Sequence, residues 1–533
     1  MANRAELLYL AGISFVLSLV FTPLARALAR RFHLVDRPDG HRKLHGRAVP
    51  LAGGIGIFLA SFATLGLWLG LTRLGWMDDN TSPQFLVGLF LAAVIICLVG
   101  VADDYGYLRG RHKLFGQMIA ILVVIAFGVQ VTQIHIFGWP IELGLLSVPF
   151  TGFLLLAAIN SLNLLDGMDG LLGSVGLVTC AGIAFLAALG GHWTAAAVAA
   201  AMAGAILGFL LFNLPPASVF LGDTGSMLIG LVVGVLAIRS TLKGPTTIAL
   251  ATPLALLTIP AFDTFAAIIR RKLTGRSLYT TDRGHLHHCL QRRGLSTRWI
   301  LVLVGSLCLV TSVGALASQR YNSDALALLS SLFVISSLMA TGLFGLAEAG
   351  LIHKRLQTIA RSLLTPRTQR SPHQVEIRLQ GSVRWQDSWN RLTDCAEDLQ
   401  LRSVRLDVNA PFIGEGYHAR WDNWQAGEDE TLWRTDIPLV AKGRTVGHVQ
   451  IFGERDHLCV SEKVAVIAQV VEEIESMVLA LVEERETATH GSRLHARNGR
   501  EKVRDGRKHL VVVDEESERF LNGSSHSKKT ASL

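Results

Sequence analysis

Charge is scarce in this chain. Asp, Glu, Lys and Arg make up 17% of its 533 residues, against 50% hydrophobic residues and a mean hydropathy of +0.40. That is too apolar for an ordinary soluble protein of this length, and the excess lies almost wholly before residue 350. Cysteine offers no framework either. Cys97, Cys180, Cys289, Cys308, Cys395 and Cys459 show no paired spacing, which argues against a disulfide scaffold. No internal repeat is visible, and the first apolar stretch lacks a small-residue cleavage site, so it reads as a retained first span. A net charge of +8 would suggest nucleic acid for a soluble protein. Here the basic residues cluster in a few loops between apolar runs, which favours an anionic membrane face and anionic substrates and no nucleic acid.

What is present is a succession of long apolar runs. A membrane-crossing helix needs roughly 20 mostly apolar residues. By that measure spans are expected near 6–29, 50–71, 84–102, 114–132, 141–159, 171–190, 194–212, 219–238, 246–269, 299–318 and 325–348. The fold class is therefore an α-helical polytopic membrane protein of about eleven transmembrane helices. The fifth span is unusual in containing Glu142 and Pro149. With eleven crossings the termini lie on opposite sides, and loop charge assigns them. The loops after odd-numbered spans hold seventeen Lys and Arg, the opposite loops and the N-terminus five. The positive-inside rule places the N-terminus outside and residues 350–533 in the cytoplasm.

After about residue 365 the pattern changes. VEIRL, SVRLDV and GHVQIFG alternate like strands, RWQDSWNRLTDCAEDL reads as a helix, and 461–486 is a strongly periodic helix. The organisation expected is a multi-span membrane domain over 1–350, a linker over 351–373 and a cytoplasmic accessory α/β domain over 374–486. The charged tail over 487–533 is expected to be disordered, apart from a candidate HLVVV strand. No catalytic constellation stands out after residue 365.

The chemistry sits at the margins of the spans. Asp103 and Asp104, Asp166 and Asp169, Asp223, and His285, His287 and His288 all fall there, on the side read as cytoplasmic. Ionisable groups at membrane depth are costly, and so many on one face make a site. Oxygen ligands beside basic groups suit a hard divalent cation, most simply Mg²⁺ held in part by substrate phosphates. Asp166 and Asp169 stand three apart, as do Asn160 and Asn163 a turn earlier, and would share a face if helical. In FLGDTGSMLIG, Asp223 opens a span beside Gly222 and Gly225, where a helix N-terminus permits close approach of a phosphate. Lys43, Arg47 and Lys113 bring positive charge from other loops. HLHHC could suit zinc by composition. On a helix, however, His285 and His288 would share a face while His287 points elsewhere, and no distant Cys/His pair completes a tetrahedron. Asp263, in IPAFDTF, reads as a buried structural partner as readily as a functional one.

VDRPDGHRKLHGRAVPLAGG, ADDYGYLRGRHKLFGQ, NSLNLLDGMDGL, FLGDTGSMLIG and DRGHLHH, in this order, resemble the motifs of the polyprenyl-phosphate N-acetylhexosamine-1-phosphate transferases. The likeness covers about residues 1–350 and is greatest to the bacterial undecaprenyl-phosphate GlcNAc-1-phosphate branch. The phospho-MurNAc-pentapeptide translocases are similar but more distant, since their pattern has three adjacent histidines where this chain reads His-Leu-His-His. The resemblance implies transfer of N-acetylhexosamine 1-phosphate, most simply GlcNAc-1-phosphate, from the UDP-sugar to undecaprenyl phosphate. UMP is released, and Mg²⁺ (Mn²⁺ as the alternative) is the cofactor. The product would initiate a cell-envelope polysaccharide such as lipopolysaccharide or teichoic acid.

Carried over by motif, Asp223 is the implied principal metal ligand, with Asp169 or Asp104 assisting. Asp103 and Asp104 would deprotonate or position the lipid phosphate, and Lys113 would contact it. Asn163 and Asp166 belong to the nucleotide side. His285, as a catalytic group, and His287 and His288 lie in the loop associated with the sugar and diphosphate. Lys43 and Asn160 join the substrate-binding set. Membrane lipids and a second copy of the chain are further partners to expect, and the bacterial inner membrane is the expected location. Two other classes compete. An ion-coupled transporter would place its acids near the bilayer midplane and show repeated halves, and neither feature is present. CDP-alcohol phosphotransferases carry a DG-x₂-AR…D-x₃-D signature that is absent here.

Overall fold

The computed structural model describes residues 2–36, 48–73, 83–136, 139–240, 247–273, 284–346, 373–380, 384–410, 415–423, 432–454 and 463–481, with isolated positions between them. The chain divides into two compact units, Met1–Gln369 and Arg370–Leu533. The candidate tail 487–533 and most of the candidate linker fall outside the described residues.

The first unit is helical. From the N-terminus run α1 (Ala2–Arg31), α2 (Gly53–Arg73), α3 (Pro83–Asp104) and α4 (Gly110–Ala126). Then come α5 (Ser147–Leu165), α6 (Leu171–Leu189), α7 (Trp193–Asn213) and α8 (Gly222–Ser240). The unit ends with α9 (Ala251–Leu256), α10 (Thr258–Leu273), the short α11 (Leu286–Arg292), α12 (Thr297–Tyr321) and α13 (Asp324–Ala340). Short strands punctuate it: β1 (Val35–Asp36) pairs with β2 (Val49–Pro50), while β3 (Gln133–Ile136) lies between β4 (Trp139–Glu142) and β5 (Thr247–Ala249).

Each of the eleven apolar runs contains helix, but among the described residues eight helices are long and apolar enough to cross a membrane. The other three runs are shorter helices. α4 has 17 residues, α13 has 17, and the ninth run is divided at Leu257 into α9 and α10. The fifth run is shifted. Glu142 lies in β4 and the helix begins at Ser147, so Pro149 occupies its first turn, where a missing N–H costs nothing.

Burial follows helix composition. α8 is apolar on every side and buried along almost its whole length, packed by α2, α3, α5 and α6. α1 instead exposes Leu8, Tyr9, Val16, Val20, Leu24 and Leu28. Glycines bring the central helices together. A Cβ on Gly54 would stand 2.2 Å from the Gly225 backbone nitrogen, and one on Gly100 would stand 2.3 Å from the Thr224 Cα. The start of α8 is thus fitted against α2 and α3 with no room for side chains. Chain order brings the C-terminal ends of α3 and α5 to the same end of the bundle as the N-terminal ends of α4 and α8.

The second unit is built on an antiparallel sheet, with strand order β6 (His373–Gln380), β8 (Glu415–Asp422), β7 (Ser403–Ala410), β10 (Arg444–Glu454) and β9 (Leu432–Ala441) among the described residues. Trp385 and Trp389 from the helix Arg384–Asp398, and Ile467 and Ile474 from the helix over 463–481, share a core with Leu406, Tyr417, Trp421 and Ile451. The strands expected at VEIRL, SVRLDV and GHVQIFG are β6, β7 and β10. The sheet is antiparallel, whereas an α/β pattern would imply parallel strands.

Candidate active site

Lys113 is the hub. It lies in the first turn of α4, and its Nζ donates to Asp103 Oδ2 at 2.7 Å, to Asp223 Oδ1 at 2.8 Å and, longer, to Asn163 Oδ1 at 3.4 Å. Asp103 comes from the last turn of α3, Asn163 from the last turn of α5, and Asp223 from the first turn of α8. Asn163 Nδ2 donates to Asp223 Oδ1 at 2.5 Å and to Ser226 Oγ at 2.7 Å. Four helix ends are thus tied through one ammonium and one amide. Asn160, one turn back on α5, exchanges hydrogen bonds with Gln117, which also reaches Met227 Sδ at 3.2 Å. Asn160 therefore braces α5 against α4 and α8 beneath the polar knot.

Asp104 is built in differently from its neighbour. Its Oδ1 accepts from the backbone N–H of Asp223 at 2.7 Å, and its Oδ2 accepts from Thr224 Oγ1 at 2.8 Å and Thr224 N at 3.2 Å. A carboxylate from α3 satisfies the N–H groups that open α8, where the helix dipole favours negative charge. Gly222, at φ 74°, lets the chain enter the helix in a conformation that suits glycine, and a Cβ there would stand 2.7 Å from Asp104 Oδ2.

The Asp-Gly-Met-Asp-Gly turn between α5 and α6 forms the next wall. Asp166 caps the C-terminus of α5 with φ −78° and ψ 61°, so it and Asp169 are not on one helical face as a continuous helix would put them. Asp169 Oδ2 accepts from Ala217 N at 3.0 Å. Asn213 ties the two loops together, accepting from Gly170 N at 3.0 Å and donating to Val219 O at 2.9 Å. No described residue hydrogen-bonds the Asp166 carboxyl. Although partly accessible, it lies deep at the bundle end, and burial pushes it up to about 8, with the charges of Asp223, Asp104 and Asp169 adding to the shift.

Oxygen donors crowd this end, yet among the described residues no three Asp, Glu, His or Cys groups converge to ligating distance. That pattern still fits Mg²⁺, which binds through one or two carboxylates plus substrate phosphates and keeps part of its water shell. The like-charged set of Asp104, Asp166, Asp169 and Asp223 is what a divalent cation would neutralise.

The three histidines open α11. His285 is the N-cap of α11, with extended backbone at φ −63° and ψ 151°, so the expected face shared by His285 and His288 does not form. The rings of His285 and His287 lie parallel, 6.1 Å apart, and His288 tilts onto His287 at 4.2 Å. His287 is 2% exposed, and among the described residues neither ring nitrogen has a hydrogen-bond partner. Burial, together with the neighbouring His288, drives its pKa down to about 3, so the ring is neutral at physiological pH. Its Nε2 faces Gly167, where a Cβ would come within 2.4 Å. Gln291 Nε2 reaches Met168 Sδ at 3.2 Å, so α11 rests on the Asp-Gly-Met-Asp-Gly turn. Of the residues expected in the site, Lys43 and Arg47 lie outside the described residues. The motifs also concealed Gln117, Thr224 and Ser226, the first a helical turn beyond Lys113.

The profile described as Glycosyl transferase family 4 matches residues 86–241, which include every aspartate and asparagine above and Lys113. The chain is 32% identical over 315 residues to the undecaprenyl-phosphate alpha-N-acetylglucosaminyl 1-phosphate transferase of Escherichia coli K12, covering 58% of this chain and 83% of that one. The chain belongs to the polyprenyl-phosphate GlcNAc-1-phosphate transferase family. Similarity extends to the decaprenyl-phosphate N-acetylglucosaminephosphotransferase of Mycolicibacterium smegmatis, 31% identical over 362 residues, 63% of this chain and 87% of the relative. A Bacillus subtilis protein, named as a probable undecaprenyl-phosphate N-acetylglucosaminyl 1-phosphate transferase, is 27% identical over 306 residues, 57% of this chain and 82% of its own length. As a family member this is a membrane-embedded phosphosugar transferase, and the helical unit carries its motifs. The histidine segment and Asp263 lie beyond the residues that the profile matches.

Proposed function

We propose that the protein transfers GlcNAc-1-phosphate from UDP-GlcNAc to undecaprenyl phosphate at the cytoplasmic face of a bacterial plasma membrane, releasing UMP. The observation that carries this reading is the hydrogen-bonded set of Lys113, Asp103, Asn163 and Asp223, formed where four helices end at one margin of the bundle. A phosphoryl transfer between two anions is limited chiefly by bringing them together, and a fixed cation with oriented polar groups lowers that cost. A lipid phosphate is already a competent nucleophile, since its second pKa is near 6. Its oxygen forms a bond to the β-phosphorus of the donor while the bond from that phosphorus to the bridging oxygen breaks, the oxygen and its electron pair leaving with UMP.

In this chain Lys113 holds charge opposite the incoming phosphate, and Asp103 fixes the position of that ammonium. Asp104 keeps the start of α8 in place. Asp223, Asp169 and Asp104, with Asp166 beside them, would hold Mg²⁺, which when bound neutralises the diphosphate oxygens. His287 packs on Gly167 of the Asp-Gly-Met-Asp-Gly turn, with the rings of His285 and His288 beside it, and the sugar diphosphate would lie at this wall.

The test uses purified full-length protein in detergent with labelled UMP. Exchange of label into UDP-GlcNAc is expected only when undecaprenyl phosphate and Mg²⁺ are both present. UDP-GalNAc and UDP-MurNAc-pentapeptide are assayed in parallel. Turnover with the pentapeptide alone would move the protein to the translocase branch, and exchange without the lipid phosphate would refute the acceptor.

A further inference from the structure

Asp263 sits on α10, 1% exposed, and its two carboxylate oxygens serve adjacent residues of the histidine segment. Oδ2 lies 2.9 Å from His285 Nδ1, and Oδ1 accepts from the Leu286 backbone N–H at 2.8 Å. Two helical turns further along the same face, the Arg270 guanidinium lies against Gly284, where a Cβ would stand 2.4 Å from it, and pairs with the buried Glu348. One face of α10 thus supports residues 284, 285 and 286 in succession.

We propose that Asp263 is the positioning residue of His285, holding Nδ1–H so that Nε2 is the nitrogen presented to the diphosphate of the nucleotide-sugar donor. This rests on the reading above, in which the histidine segment meets the donor. An ionised carboxylate only accepts hydrogen bonds, so the hydrogen must reside on Nδ1. No described residue hydrogen-bonds Nε2. Among the described residues, Asp263 is the side chain that hydrogen-bonds the His285 ring. The parallel ring of His287 is 6.1 Å away, and Arg270 is engaged with Glu348. With the imidazole fixed this way, Nε2 can accept or return a proton, or donate to a phosphate oxygen when the ring is charged.

Asp263→Asn separates positioning from capping. The amide oxygen can still accept from Leu286 N–H, but its NH₂ cannot accept from Nδ1–H, so His285 must adopt the opposite tautomer. With full-length protein in detergent, Asp263→Asn is expected to lower kcat by ~10²-fold or more, with KM for UDP-GlcNAc and for undecaprenyl phosphate within about threefold of the parent. The double variant Asp263→Asn/His285→Gln should be no slower than His285→Gln, because the two act as a unit. Wild-type kcat in Asp263→Asn, or a further multiplicative loss in the double variant, would overturn the proposal. ¹⁵N-histidine NMR reads the tautomer without substrate, the His285 signal being the one absent from His285→Gln. Hydrogen on Nδ1 in the parent protein is expected, and hydrogen on Nε2 alone would refute the assignment even if Asp263→Asn did not fold. If the parent turns over none of the UDP-sugars, the proposed reaction fails while the NMR result still decides the role of Asp263.

Discussion

Asp223 and Asp104 are both carboxylates at the mouth of α8, yet they are held by different groups. Asp223 accepts from side chains, Lys113 and Asn163, whereas Asp104 accepts from the backbone that opens the helix and from Thr224. Asp223→Asn keeps an acceptor for Lys113 but removes the charge, so folding should persist while kcat falls by ~10²-fold or more in the UMP-exchange assay at saturating Mg²⁺. Normal turnover would locate the metal elsewhere. Asp104→Ala removes the group that caps α8. It should lower stability in detergent by about 0.5–2 kcal/mol, read from denaturation midpoints, more than Asp103→Ala does. His287 supplies a pH effect with a definite sign. Its folded pKa, about 3, lies below the usual 6.5, so between those values the unfolded chain holds a proton that the folded chain lacks. Its contribution is complete above about pH 6.5 and is lost as pH falls toward about 3. The parent's denaturation midpoint should therefore fall between about pH 6.5 and pH 4 more steeply than that of His287→Gln. An identical slope in both would show the ring to be solvated.

At the scale of elements, the tight crossing of α8 with α2 and α3 depends on Gly54, Gly100 and Gly225. Gly100→Leu would push against the Thr224 backbone and displace the first turn of α8, together with Asp223. The expected outcome is loss of UMP exchange with the protein still inserted in membranes, and retained exchange would mean that α3 can shift without cost. The spans themselves were legible because about 20 apolar residues in a row leave few alternatives. The exceptions have local causes. The division of the ninth run at Leu257, the strand at Glu142 and the extended N-cap at His285 depend on tertiary partners, which hydropathy does not encode. The aspartates announced themselves as charges at span margins. Gln117 and Asn213 are neutral and work by joining elements distant in sequence, so a reading along the chain passes over them.

At the scale of the whole molecule, every described residue of the site belongs to Met1–Gln369. Deleting residues 365–533 should leave UMP exchange at matched membrane levels. A truncated protein that is folded and inserted but inactive would show that the second unit contributes to catalysis. That unit was half legible. β6, β7 and β10 alternate clearly, while β8 (EGYHARWD) and β9 (LWRTDIPLVA) mix charges, aromatics and a proline, so their pairing emerges only from the sheet.

The seat of His287 on Gly167 joins segments 120 residues apart in the chain. A methyl group at one demands a smaller side chain at the other, so the two segments form a single unit of exchange. A chimaera that imports the histidine segment of a relative without its Asp-Gly-Met-Asp-Gly counterpart inherits a mismatched joint, whereas one that imports both keeps the joint whole.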